Sequence, residues 1–165
     1  LGGCMAWCVL HVRPRCEKKI AEYCRVLGAE YYLPLRSETK VYQRRKVTVE
    51  KPIFPGYVFA ASDSLQRVSL LKTNQVVRFL ETDDEGMLLR ELEQVRKALT
   101  VDPSLGADAA LARGKAVRIT GGPFLGVEGW VQDVRGQNKV CLNVDMIGQA
   151  IVVEVAREYL EIIDV

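Results

Sequence analysis

The chain has 165 residues and a mass of 18.5 kDa, room for one ordinary domain or two small ones. Hydrophobic residues make up 48% and charged residues 27%, which excludes a disordered or fibrous chain. Lys+Arg at 23 nearly balances Asp+Glu at 21, but residues 13–51 hold 11 basic groups against 5 acidic ones, a local positive field suited to phosphates or an acidic partner.

Trp7 to Val12 alternates Trp7, Val9, His11 with Cys8, Leu10, Val12 and reads as a strand. Pro14 suits the first turn of a helix whose apolar stripe is Cys16, Ile20, Cys24 and Leu27, with Gly28 at its C-terminal end. Glu30 to Leu33 is a second strand. Arg36 to Lys51 reads as a charged hairpin turning near Arg44–Arg45. Pro52 to Ala60 (PIFPGYVFA) is a strong strand whose two prolines demote part of it to a bulge or an edge. Ser62 or Asp63 caps a short helix expected to bury Leu65, Val68 and Leu71. Val76 to Leu80 is a further strand, and Leu88, Leu92, Val95 and Leu99 mark a last helix. The order predicts an α+β sandwich with helices against an antiparallel sheet.

Composition changes at Thr100. Residues 100–113 lack a period and read as a linker between a domain at 6–99 and one at 114–165. Beyond it, short alternating runs (Val117/Ile119, Val131/Val134, Val140/Leu142/Val144, Ile151/Val153/Val155) are separated by turns at Gly121–Pro123, Gly136–Asn138 and Ile147–Gln149, as in a small β-barrel. Residues 99–165 carry 6 basic and 9 acidic groups, so a protein partner suits that part better than nucleic acid.

No stretch approaches a membrane span and no charged-then-apolar leader is seen, so the expectation is a soluble, cytoplasmic protein. The start at Leu1-Gly2-Gly3 without Met reads as a trimmed or tagged end. Five cysteines at irregular spacing are not a disulfide framework. Cys4, Cys8, His11 and Cys16 invite a zinc reading, but strand alternation sends Cys8 and His11 to opposite faces, so no metal is expected. With one histidine, no phosphate-binding P-loop and no nucleophile triad in context, neither an enzyme nor a cofactor is expected.

PIFPGYVFA, followed in order by KAVRITGGPFLGVEGWVQDV, resembles the NusG family of transcription elongation factors. Residues 6–99 resemble its N-terminal (NGN) domain, an α/β sandwich. Residues 114–165 resemble its KOW domain, a small all-β SH3-like barrel. The resemblance implies that Phe54, Pro55 and Tyr57, with Trp7 and His11 beside them, form the pocket that grips the RNA polymerase clamp helices. Ordinary core is the competing reading of Phe54 and Tyr57. Gln66 and Ser69 would meet the gate loop across the cleft. Arg13, Arg15, Lys18 and Lys19 oppose the helix dipole, so helix stability does not explain them, whereas phosphate neutralisation would. In RfaH-like specialised members the matching residues touch the non-template DNA strand. Arg44 and Arg45 in the hairpin would face upstream DNA. Gly121, Gly122, Gly126 and Gly129 read as structural, and Phe124 and Trp130 as core or stacking residues.

In the general factor a phenylalanine in the barrel loop docks on NusE or Rho. Here Asp145-Met146-Ile147-Gly148 places Ile147 at that position, so Met146 and Ile147 are the candidate contacts. The basic first helix, Pro34-Leu35 and the missing phenylalanine favour an operon-specific, antiterminating, RfaH-like paralogue acting as a monomer. The alternatives are a housekeeping factor coupled to the ribosome or Rho, and a KOW-type RNA- or ribosome-binding structural protein.

Overall fold

A computed structural model describes residues 5–110, 113–134 and 137–163. Leu1-Gly2-Gly3, Cys4 and the glycine of the turn at 136 lie outside the described residues. The chain divides into two compact units, one of Leu1–Pro34 with Phe54–Leu89 and one of Leu35–Ile53 with Arg90–Val165.

In the first unit β1 (Trp7–Val12) is the central strand. It pairs antiparallel with β5 (Tyr57–Ala61) on one side and β6 (Val76–Leu80) on the other, and β2 (Glu30–Tyr32) flanks β5, for a sheet order β2-β5-β1-β6. Alternation sends Cys8, Leu10 and Val12 to one face, where they pack with Val58, Ala60, Ile20, Cys24, Ala29, Leu70 and Val76. The helices on that face are α1 (Glu17–Leu27) and α2 (Ser64–Lys72). The opposite face buries Val9 and Phe59, and Phe54 meets Phe59 edge to face at 6.3 Å.

Three expectations change here. Pro14 does not open α1: Pro14 and Arg15 form a turn closed by the Cys16 N–H donating to the Arg13 carbonyl at 3.1 Å, and the helix begins at Glu17. At its other end Gly28 adopts the expected left-handed cap, with Gly28 and Ala29 N–H groups donating to Arg25 and Cys24. Phe54-Pro55-Gly56 is a turn before β5 rather than part of a strand running from Pro52 to Ala60, closed by Tyr57 N–H on the Phe54 carbonyl, with Gly56 at φ 89°. On α2 the stripe Leu65, Val68 and Leu71 is exposed at 80%, 49% and 46%, and the single residue Leu70 is buried instead.

The second unit contains the hairpin β3 (Leu35–Tyr42) and β4 (Arg45–Pro52). Its turn is Gln43–Arg44, both left-handed at φ 47° and 65°, one residue earlier than expected. Helix α3 is Glu85–Val101, and residues 90–101 of it belong to this unit. The remaining strands are β7 (Ala107–Ala109), β8 (Ala116–Ile119), β9 (Glu128–Val134), β10 (Gln137–Val144), β11 (Gln149–Glu154) and β12 (Leu160–Ile162). They form one antiparallel sheet in the order β12-β8-β9-β10-β11-β7, around Val117, Ile119, Val140, Leu142, Val144, Ile151 and Val153. No pairing of β12 with β7 closes this sheet among the described residues. Of the stretch expected to be a linker, 100–101 ends α3 and 107–109 forms β7 against β11. Gly129 lets β9 lie close against its antiparallel neighbour β10: a Cβ there would stand 2.7 Å from the Cys141 carbonyl oxygen and 2.8 Å from Leu142 and Val140 side chains.

Candidate functional site

The most distinctive surface of the first unit lies at the end of β1. His11 is paired with Tyr57 across β5, and their rings stack at 5.4 Å with planes 26° apart. Both are half-buried, and Pro55 beside them is exposed. The left-handed Gly56 holds this corner: its carbonyl accepts from Val12 N–H at 2.8 Å, and a Cβ on it would already touch the His11 ring at 3.9 Å. Trp7, at the other end of β1, is half-buried and its backbone N–H donates to Glu85 Oε1 at 2.9 Å. Phe54 is a correction to the expected pocket. It is 1% exposed and packed on Phe59, it meets Tyr57 through its backbone carbonyl, and it offers no surface of its own. Cys8 and His11 do face opposite ways, Cys8 into the α1 side of the core and His11 onto Tyr57.

Next to this corner stand the basic residues. Arg13 and Arg15 are exposed on the turn before α1, and Lys18 and Lys19 are exposed in its first turn. Arg13 is held in place, with its Nε donating to the Asn74 carbonyl at 2.6 Å and its backbone N–H to Gln75 at 2.8 Å. Arg15 has φ 65°, an uncommon backbone for a side chain with a Cβ.

The hairpin sorts its charges by face. Cross-strand partners share a face. The pairs Arg36/Lys51, Lys40/Val47 and Tyr42/Arg45 therefore alternate with Ser37/Glu50, Thr39/Thr48 and Val41/Lys46. Four cations thus gather on one side against the single acid Glu38, which pairs with Lys51 at 2.8 Å. Lys51 holds the Lys40 ammonium below its ordinary range, first through their side-chain contact and then through charge repulsion. Arg44 and Arg45 are exposed at the tip.

Gln66 is already engaged within the chain. Its Oε1 accepts from Asp63 N–H at 2.8 Å and its Nε2 donates to the Leu27 carbonyl at 3.1 Å. Ser69, by contrast, is exposed. The free polar pair expected from sequence reduces to one residue.

In the second unit Asp145, Met146 and Ile147 form a single 3-10 turn, ended by left-handed Gly148. Met146 and Ile147 are half-buried. Asp145 ion-pairs with Arg113, whose guanidinium lies 4.7 Å over the Trp130 ring. Trp130 is thereby a packing partner rather than an open stacking platform. Among the described residues no group of His, Cys, Asp and Glu is arranged to hold a metal ion.

Sequence reasoning missed Arg78. It is exposed and stands directly opposite His11 on β6. No motif marks it, and only the strand register brings it to the corner.

Residues 5–98 match the protein-family model described as "Transcription termination factor nusG". No curated protein sequence matches the chain. Among solved structures it is similar to NusG of Thermotoga maritima, at 19% identity and a TM-score of 0.49, covering 96% of this chain and 97% of that one. A MjSpt4:Spt5 complex is similar at 17% identity and a TM-score of 0.31, covering 95% of this chain and 96% of that one. At those scores the structural likenesses add no weight, and the match over residues 5–98 stands on its own.

Proposed function

Because the chain belongs to the NusG family, as the match over residues 5–98 establishes, we propose that it is a transcription elongation factor that binds RNA polymerase at the clamp helices. The observation that carries this reading is the His11–Tyr57 stack beside exposed Pro55. Aromatic side chains held in place by buried neighbours are typical anchors of protein interfaces. Trp7 lies at the far end of β1 from this surface, and Phe54 is buried behind it against Phe59. Ser69 is the candidate contact to the gate loop.

The action is binding without covalent chemistry, and it needs no cofactor. By bridging the polymerase cleft the protein would hold the clamp closed and suppress pausing. Arg13, Arg15, Lys18 and Lys19 would run along the non-template strand, and the cationic face of the hairpin along upstream DNA. Each cation placed on a phosphate releases counterions, so this contribution would weaken steeply with salt. Met146 and Ile147 would serve a protein partner such as NusE or Rho. The exposed basic corner and Ile147 in the 3-10 turn favour an operon-specific, RfaH-like antiterminator in the cytoplasm over the housekeeping factor.

The test is pause read-through by RNA polymerase of the source organism with wild type, Tyr57→Ala and His11→Ala. Faster elongation by wild type, lost in both variants with folding intact, supports the reading. Absence of polymerase binding and of any change in pausing on several templates would overturn it.

A further inference from the structure

Three side chains stand in one row across the exposed end of the four-stranded sheet. His11 is flanked by Tyr57 on β5 and by Arg78 on β6. Directly opposed residues on adjacent antiparallel strands share a face, with Cα atoms about 4.5–5.5 Å apart. Immediately beyond the row, between His11 and Val12, the β1–β6 register slips, so the sheet bends there. One step back along the same face Val9 and Phe59 are fully buried. The accessible part of this face therefore begins at the row itself.

The row carries one fixed charge. The guanidinium fork only donates and is a permanent cation, while the tyrosine hydroxyl and the imidazole can each donate a hydrogen bond beside it. Among the described residues Arg78 has no ion-pair partner. The nearest acid along the chain, Glu81, is taken by Arg67 at 2.6 Å, and Glu85 accepts from the Trp7 backbone. A permanent cation with no acid of its own, beside two groups that can also donate, is complementary to a ligand that supplies an anionic acceptor.

We infer that the row Tyr57–His11–Arg78 receives a carboxylate of a protein partner, an Asp or Glu that Arg78 holds while the neighbouring part of the partner packs on the His11–Tyr57 stack. This rests on the proposal that the surface meets RNA polymerase, and it specifies the chemistry of the polymerase segment that docks there. A protein acid is favoured over a nucleic-acid phosphate by the company Arg78 keeps. One cation beside two stacked rings and an exposed proline is the composition of a protein hot spot. Backbone binding takes several cations in succession; Arg13, Arg15, Lys18 and Lys19 supply such a run on the turn and α1 beyond the row, whereas the row itself holds one cation among rings. The planar guanidinium accommodates a carboxylate with two parallel hydrogen bonds, a geometry that lysine cannot reproduce.

The experiment has two arms, both on the full chain. In the first, affinity for RNA polymerase is measured for wild type, Arg78→Lys and Arg78→Glu. Arg78→Glu is expected to weaken binding about tenfold or more, as for loss of a charge-assisted hydrogen bond, and Arg78→Lys by less. Unchanged affinity of Arg78→Glu, with Tyr57→Ala defective, would overturn the inference while leaving the polymerase reading intact.

The second arm does not depend on polymerase. His11 is the sole histidine, so its imidazole gives one unambiguous magnetic-resonance signal. A glutamate-rich helical peptide is expected to shift that signal in wild type and not in Arg78→Glu. A shift with a single-stranded oligonucleotide and none with the peptide would reassign the row to phosphate, and no shift with either would refute it. Should wild type fail to bind polymerase, the proposed function falls, and the peptide titration still decides the chemistry of the row. Arg78 is exposed on an edge strand, so its variants are expected to melt within a few degrees of wild type, as is usual for exposed sites.

Discussion

Asp63 and Gln66 cap α2 reciprocally: Asp63 Oδ1 accepts from Gln66 N–H at 2.8 Å, and Gln66 Oε1 accepts from Asp63 N–H at 2.8 Å. Such a box satisfies two N–H groups at the helix start that have no partner within the helix. Asp63→Ala is expected to cost about 1 kcal/mol, a melting temperature lower by about 2–4 °C for a chain of this size. Gln66→Ala should lower stability similarly, because it also loses the bond to Leu27. Calorimetry checks both. If Gln66→Ala left stability untouched and weakened polymerase binding, the glutamine would be an outward contact after all.

Leu70 is the one fully buried residue of α2. Leu70→Ala is expected to destabilise by about 2–5 kcal/mol, as for a fully buried leucine. Leu65→Ala, at a position 80% exposed, should stay within about 0.5 kcal/mol of wild type. Urea denaturation of the two variants side by side checks the assignment.

The close approach of β9 to its neighbour β10 leaves no room at Gly129. Gly129→Ala forces a methyl against the Cys141 carbonyl and is expected to cost about 1–3 kcal/mol, the range for overpacking. Gly106→Ala is the control, since a Cβ there meets nothing within 4 Å and φ is not in the left-handed range. It should be neutral or stabilising by up to about 1 kcal/mol. Denaturation followed by tryptophan fluorescence in a Trp7→Phe background, which leaves Trp130 as the sole tryptophan, reads the first effect locally.

Burial raises the Cys24 thiol to about 11 from its ordinary value near 9, with the neighbouring Cys8 adding to the shift. Cys8 is raised too, by burial, although Arg67 at 3.6 Å from its sulfur partly offsets this. The sign follows from proton binding. Between about pH 9 and 11 the folded state keeps a proton that the unfolded state has released, so stability is intact below that window and falls as pH rises through it. Cys24→Ala should flatten this alkaline slope. Denaturation midpoints from pH 8 to 11, together with thiol titration before and after unfolding, check it.

Elements with a clear period were legible in the sequence. The alternation of Trp7–Val12 gave the central strand, the spacing of Ile20 and Cys24 gave the buried side of α1, and Gly28 marked its end, because each pattern reflects one dominant burial direction. Helix α2 misled because three apolar residues at helical spacing outweigh one, and nothing local shows that Leu70 points inward. The turn at Phe54–Gly56 was obscured by the β-forming residues around it. Strand β7 is the alanine-rich Ala107–Ala109, with no strand signal of its own, and it exists through its pairing with β11. Of the candidate site, His11 and Tyr57 were legible through the resemblance. Arg78 was not, since its place depends on a register between strands far apart in the chain.

The hairpin tip carries a last consequence. Asn-Gly is the sequence that relaxes a two-residue turn with both residues left-handed, and this chain instead keeps Gln43 and Arg44 there, each at a cost of about 1–2 kcal/mol. Arg44→Gly would therefore make the ribbon more stable while stripping a cation from its tip. A population of variants selected only for thermal resilience should accumulate that change, and one selected only for performance on a transcription template should discard it. The tip is thus a place where durability and charge pull against each other, and the direction in which selection moves residue 44 reports which of them the protein is built to keep.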